Sequence, residues 1–184
     1  MGSVYDYFAG EDRYPALDAA GAVSRLAEAV RCRTVNAPDP AETDFGEFEK
    51  LQALMQRSYP AVMAAGSFEL IGHSVLITIP GSDASLRPSL YMSHQDVVPV
   101  VRGTEENWTH GAFSGDVAEG SIWGRGTLDI KQMVFGILEA AEALLQSGAR
   151  FRRTAYLAFG EDEETLNLGA LGVAETLRAR GVRL

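Results

Sequence analysis

The chain has one cysteine, Cys32, so an internal disulfide is excluded and no cysteine-rich metal knuckle can be built. That points to a reducing, cytoplasmic setting. Basic charge is scarce. Lys and Arg number 16 against 25 Asp and Glu, a formal net charge of -9. A nucleic-acid surface needs clustered cations, so no nucleic-acid partner is expected, nor an anionic membrane surface. The segment of about 18 or more uninterrupted apolar residues that a membrane span requires does not occur. The first fifteen residues lack the basic start and apolar core of a signal peptide. Repeats, low-complexity tracts and a Gly-x-x-x-x-Gly-Lys-Ser/Thr phosphate loop are missing too. The pair Gly124 and Gly126 has no third glycine to complete a dinucleotide fingerprint. Ser93, His94 and Asp96 are triad residue types, but neighbours on a strand face opposite ways and no Gly-x-Ser-x-Gly elbow is present.

The 184 residues, 46% hydrophobic and 22% charged, suit a compact globular domain with a real core. Helical apolar spacing predicts a helix over 17–31 and a second over 44–65, which Pro60 kinks or restarts and Gly66 ends. Residues 34–43 read as a loop. Short β-rich runs at 68–71 and 74–79 flank Gly72-His73 and read as a hairpin. Residues 89–93 read as a strand covered on both faces. A small hairpin turns at Glu119-Gly120. Residues 133–146 form a helix stopped by Gly148, 153–159 a strand, and 169–180 a last helix before Gly181. Strands alternating with helices imply an α/β sandwich with a largely parallel sheet, to which the N-terminal helices and early hairpin add antiparallel elements.

In such sheets ligands bind beyond the carboxyl ends of the strands. His94 follows one strand, and Glu161, Asp162, Glu163 and Glu164 follow another. Asp129 is delivered to a helix mouth by the turn Gly124-Arg125-Gly126-Thr127-Leu128. Singly these groups read as a strand-end imidazole, a helix cap and surface acids. Together, one imidazole and several carboxylates suit zinc, with cobalt or manganese as substitutes, and equip a site for metal-assisted hydrolysis. His73 and His110 are expected to be structural or exposed rather than ligands.

Four segments occur in order: Ser93-His94-Gln95-Asp96-Val97-Val98-Pro99, residues 108–115, Gly124 through Lys131, and Gly160-Glu161-Asp162-Glu163-Glu164. Together they resemble the peptidase M20 family of co-catalytic zinc hydrolases, in its carboxypeptidase S and N-acyl-amino-acid hydrolase branch. The resemblance implies an incomplete three-layer α-β-α zinc-exopeptidase-like domain with a mixed, mostly parallel sheet. It implies His94, Asp129 and Glu164 as metal ligands, Asp129 bridging two Zn2+ and followed by a cis peptide bond. Glu163 would be the general base for a water activated between the ions, and Asp96 would tune His94 from behind. The substrate would be the amide bond of a small peptide or N-acyl amino acid. Gln132, where relatives often carry Gly, and Thr165-Leu166-Asn167 depart from the pattern without removing a ligand.

The family's length implies that residues 1–184 are the N-terminal portion of the catalytic domain. The lid or dimerisation domain, the remaining ligands and the surface of a homodimer would then lie elsewhere. Two ligands per ion fall short of the usual three for catalytic zinc, so weak metal binding and negligible hydrolysis are expected of these residues alone. A catalytically silent binding or assembly domain, and an aminopeptidase of related fold, are the alternatives.

Overall fold

The computed structural model describes residues 15–184; the first fifteen residues, read as not forming a signal peptide, lie almost entirely outside them. Helix α1, Ala19–Arg31, starts where the Asp18 side chain accepts the Gly21 N–H. The expected helix over 44–65 is two: α2, Phe45–Ser58, capped by Asp44, and α3, Pro60–Ala65. The break falls at Tyr59, because Pro60 disfavours helical backbone in the residue before it. The N–H groups of Ala61 and Val62 in the first turn of α3 donate to the buried Glu142 carboxylate. Strands β1, Ser67–Ile71, and β2, Ser74–Ile79, form the hairpin around Gly72-His73. Strand β3, Ser89–His94, is followed by the hairpin β4, Asp116–Ala118, and β5, Ser121–Trp123. Helix α4, Gln132–Gln146, strand β6, Ala155–Gly160, and helix α5, Leu168–Ala179, complete the order.

The main sheet runs β1-β2-β6-β3. It is mixed, but not mostly parallel. The β1–β2 and β2–β6 pairings are antiparallel, and only β3–β6 is parallel. The early hairpin supplies half of the strands, and a two-residue connection permits only antiparallel pairing. A parallel bridge between Val35 and Val97 adds a short contact from the segment read as loop.

Strand alternation divides the core into two layers. Val75, Ile77 and Ile79 of β2 pack with Leu51, Leu54 and Met55 of α2 and with Val134, Phe135 and Leu138 of α4. Leu76 and Ala158 face the opposite way, against Val173 and Leu177 of α5. The expected α-β-α layering is present. The expectation that β3 is covered on both faces is corrected. Among the described residues β3 pairs only with β6, and Tyr91 and Met92 are about half exposed. Its apolar run reflected residue type, whereas burial depends on where a strand falls in the sheet order.

The turn at 124–131 is fastened to α1. An added Cβ at Gly126, where φ is +82°, would stand 2.4 Å from Val97 Cγ1, so only glycine fits both the backbone and the space. Lys131 is fully buried, and its ammonium donates to the carbonyls of Ala29 (2.9 Å) and Cys32 (2.6 Å) at the C-terminal end of α1. This end of a helix attracts cations. Burial pushes the Lys131 ammonium down to about 8. Lys131→Met keeps the length but removes the donor, leaving two buried carbonyls without it. The expected loss of unfolding free energy is about 2–4 kcal/mol, read by urea denaturation.

Candidate metal centre

The site begins where β3 and β6 end side by side, with His94 in register with Gly160. The turn after His94 is tightly held. Gln95 donates its backbone N–H to the Gly160 carbonyl (2.7 Å) and its side-chain amide to the carbonyls of Phe159 (2.9 Å) and His73 (3.0 Å). The Thr34 hydroxyl donates to the Gln95 carbonyl at 2.6 Å. These contacts fix the direction in which His94 and Asp96 leave the sheet.

Asp96 is completely buried. Its carboxylate accepts the N–H groups of Glu163 (3.1 Å) and Glu164 (2.9 Å), so it sets the start of the acidic loop after β6. Its Oδ1 also lies 3.2 Å from His94 Nδ1, and its backbone carbonyl 3.1 Å from the same nitrogen. The other imidazole nitrogen, Nε2, thereby points outward. It stands 3.4 Å from Asp129 Oδ1 and 3.6 Å from Glu163 Oε2. Donor atoms of His94, Glu163 and Glu164 lie within 4.8 Å of one another. The structure therefore brings together every residue singled out from the sequence: Asp96 behind the imidazole, and Asp129, Glu163 and Glu164 around its outer face. The peptide bond between Asp129 and Ile130 is cis.

The electrostatics are those of a cation site. Burial alone would lower the His94 imidazole, but the hydrogen bond and charge of Asp96, helped by Glu163, raise it to about 9. Burial, then the negative charge of Asp129, raises the Glu164 carboxyl. Among the described residues no Lys or Arg forms an ion pair with Asp129, Glu163 or Glu164. Three carboxylates gathered without a balancing Lys or Arg, opposite an imidazole whose far nitrogen is already tied to a carboxylate, fit a divalent metal and its usual outer-shell support.

Some contributors were not legible as such. Asp162 reads as one acid in a run of four. Its carboxylate accepts the N–H groups of Leu168 (2.7 Å) and Gly169 (2.8 Å), and so starts α5. Its carbonyl accepts from Asn167 at 2.7 Å, with Asn167 in a left-handed conformation. Asp162 stands six residues before Leu168, too far upstream for a capping signal to be read from local spacing. Gln95 gave none beyond standing between two candidates. His73 and His110 make contacts away from this group. His73 stacks on Phe45 at 3.7 Å, and His110 lies 2.9 Å from Asp116 and 4.7 Å from the Trp123 ring.

Residues 90–183, half of the chain, match the model of the Peptidase family M20/M25/M40. The chain belongs to the M20 family. Among its relatives, an N-fatty-acyl-amino acid synthase/hydrolase of Danio rerio is 35% identical over 186 residues, covering 99% of this chain and 34% of its own length. Carboxypeptidase S of Saccharomyces cerevisiae is 35% identical over 167 residues, covering 86% of this chain and 29% of its own length. This M20 chain thus spans about a third of the length of the curated relatives it matches. Human carnosine dipeptidase 1 shares the fold, with a TM-score of 0.66 at 18% identity over 88% of this chain and 36% of that one. An M20 metallo-carboxypeptidase from Sulfolobus solfataricus has a TM-score of 0.62 at 21% identity, covering 78% and 31%. Among the described residues no helix is long and apolar enough to cross a membrane.

The raised imidazole gives a pH dependence with a definite sign. With His94 at about 9 in the folded, metal-free protein against 6.5 ordinarily, folding gains from its proton. That stabilisation is complete below pH 6.5 and lost as pH rises to about 9. Urea unfolding in chelator should show stability falling over this window in the wild type, and a flatter profile in Asp96→Asn, where the anion opposite Nδ1 is gone.

Proposed function

We propose that this chain carries the metal centre of a hydrolase acting on amide bonds, in small peptides or N-acyl amino acids, with two Zn2+ as the resident ions and Co2+ or Mn2+ able to substitute. The observation that carries this reading is the convergence of Asp129 and Glu163 on the outer nitrogen of His94, with Glu164 beside them and no Lys or Arg paired to any of the three among the described residues. The names of the relatives, an acyl-amino acid synthase/hydrolase and a carboxypeptidase, support the bond type. In this reading His94, Asp129 and Glu164 would hold the metal. Bound there, divalent ions supply Lewis acidity toward the amide carbonyl and toward water.

The chain's own contribution is positional and acid–base. Asp96 fixes the His94 ring and, through the backbone of Glu163 and Glu164, the direction in which both glutamates leave the loop. Glu163, half exposed and bonded to nothing else in its side chain beyond the His94 approach, is free to take a proton from the attacking water and return it to the departing nitrogen. The reading includes the cytoplasmic setting and homodimer anticipated from the sequence. It also includes completion of the ligand set by polypeptide outside these 184 residues, because two protein ligands per ion are fewer than catalytic zinc ordinarily has.

Calorimetric titration with Zn2+ tests the ligands. The 184-residue chain should bind weakly, on the order of micromolar. His94→Ala and Glu164→Gln should weaken binding at least about tenfold, and Glu163→Gln should weaken it less than either. Hydrolysis of dipeptides and N-acyl amino acids by this chain should be negligible. In a longer polypeptide that turns over, Glu163→Gln should lower kcat by about 10²–10⁴. Tight binding of two ions with turnover by these residues alone would refute the incompleteness, and no binding at all would refute the metal centre.

A further inference from the structure

The chain leaves α1 at Cys32 with extended backbone, and over the next residues burial alternates. Cys32, Thr34 and Asn36 are buried, Arg33 is exposed and Val35 half-buried. That is the period of a strand, and Val35 makes its parallel bridge to Val97 here. A strand ordinarily turns apolar side chains inward. Two of these three inward positions are polar, and a buried polar group is costly unless its hydrogen bonds are made.

Each of the three meets a different arm of the metal centre. The Cys32 carbonyl accepts from the Lys131 ammonium (2.6 Å), at the foot of the turn that carries Asp129. The Thr34 hydroxyl donates to the Gln95 carbonyl (2.6 Å) and its carbonyl accepts the Val97 N–H (3.0 Å), one residue to either side of Asp96. The Asn36 amide donates to the Glu161 carbonyl at 2.6 Å, in the loop that carries Glu163 and Glu164. The orientation of that amide is fixed. The Thr43 hydroxyl accepts the Ala37 N–H (3.1 Å), so its own proton goes to Asn36 Oδ1 at 2.9 Å, and the NH2 group is left for Glu161.

We propose that Asn36 is a positioning residue of the metal centre: through the Glu161 carbonyl it sets the path of the loop after β6, and so where Glu163 and Glu164 stand relative to His94. This rests on the hydrolase reading, since it assigns Asn36 to that centre. Asp96 holds the loop by the N–H groups of Glu163 and Glu164. An anchor at that carboxylate alone would leave the loop free to pivot about it. A second anchor at Glu161, two residues earlier, removes the pivot. The Glu161 side chain adds to this second anchor, because its carboxylate accepts the His73 N–H (3.3 Å) and the Ser74 hydroxyl. Support of a ligand from behind its donor atoms is worth about ten- to a hundredfold in metal affinity.

Two readouts on the 184-residue protein test this: amide hydrogen exchange in chelator, and zinc affinity by competition with a chromophoric chelator. Asn36→Asp keeps the size and the acceptor for Thr43 but sets an oxygen against the Glu161 carbonyl. The Glu163 and Glu164 amides should then exchange about tenfold faster relative to those of the β2–β6 pairing, and zinc should bind about ten- to a hundredfold more weakly. Thr43→Val, which only releases the Asn36 amide, should move both readouts the same way by less, and it carries the test if Asn36→Asp does not fold. Thr43→Ser keeps the hydroxyl and should match the wild type. A merely structural Asn36 would lower stability in urea, speed all these amides together and leave the zinc affinity of the folded chain unchanged, and that result overturns the proposal. Faster exchange at Glu163 and Glu164 in a protein whose wild type takes up no zinc would remove the hydrolase reading and leave the anchoring of the loop by Asn36. Zinc binding by the wild type with neither readout moved in the variants would do the reverse.

Discussion

The Asp96 carboxylate takes no part in the outer face of the site, yet the site's geometry depends on it. It is fully buried, one side against His94 Nδ1 and the other receiving the N–H groups of Glu163 and Glu164. Two chain segments that end neighbouring parallel strands are thereby locked to each other through one side chain. A buried carboxylate is costly unless its oxygens are satisfied, and here both oxygens have donors. The same anion orients the imidazole and raises its affinity for a proton. A metal ion competes for the opposite nitrogen of the same ring, so the group that holds the ligand in place also makes it more electron-rich toward a cation.

Asp129 arrives from a third direction, and its position has a different origin. It hangs from a turn whose far end is pinned by the buried Lys131 at the carbonyl end of α1 and whose near end passes close to Val97 at Gly126. Val97 itself follows Asp96 and pairs with Val35. The three parts of the centre thus rest on one framework: the sheet ends, the strand-like segment beside Val97, and α1. Burial, and after it the charge of Asp129, raises the Glu164 carboxyl, and this framework holds the acids together against that cost in the metal-free chain. A divalent ion would relieve it.

Much of this was legible in the sequence where the signals are local. Helical spacing located α1, α4 and α5 to within a few residues, and Gly72-His73 and Glu119-Gly120 marked both hairpins. His94 and the Glu163-Glu164 pair could be placed at one sheet edge because each follows a strand, and the parallel β3–β6 pairing puts them there. The parts that could not be read depend on contacts distant in sequence. A lysine ordinarily reads as surface, and nothing local shows that Lys131 reaches the carbonyls of residues 29 and 32. The exposure of β3 depends on strand order, which residue types do not encode. Asp162 and the neighbouring glutamates look alike as a charge run, and only the position of α5 makes one of them a cap.

The claim on which the account turns is that the groups around His94 Nε2 form the metal's coordination shell. X-ray absorption at the zinc edge of the zinc-loaded chain addresses this directly. The account predicts a first shell of oxygen and nitrogen containing a single imidazole, with that imidazole signature lost in His94→Gln and no sulfur from Cys32. A sulfur neighbour, or an imidazole that survives His94→Gln, would place the ion elsewhere and contradict it.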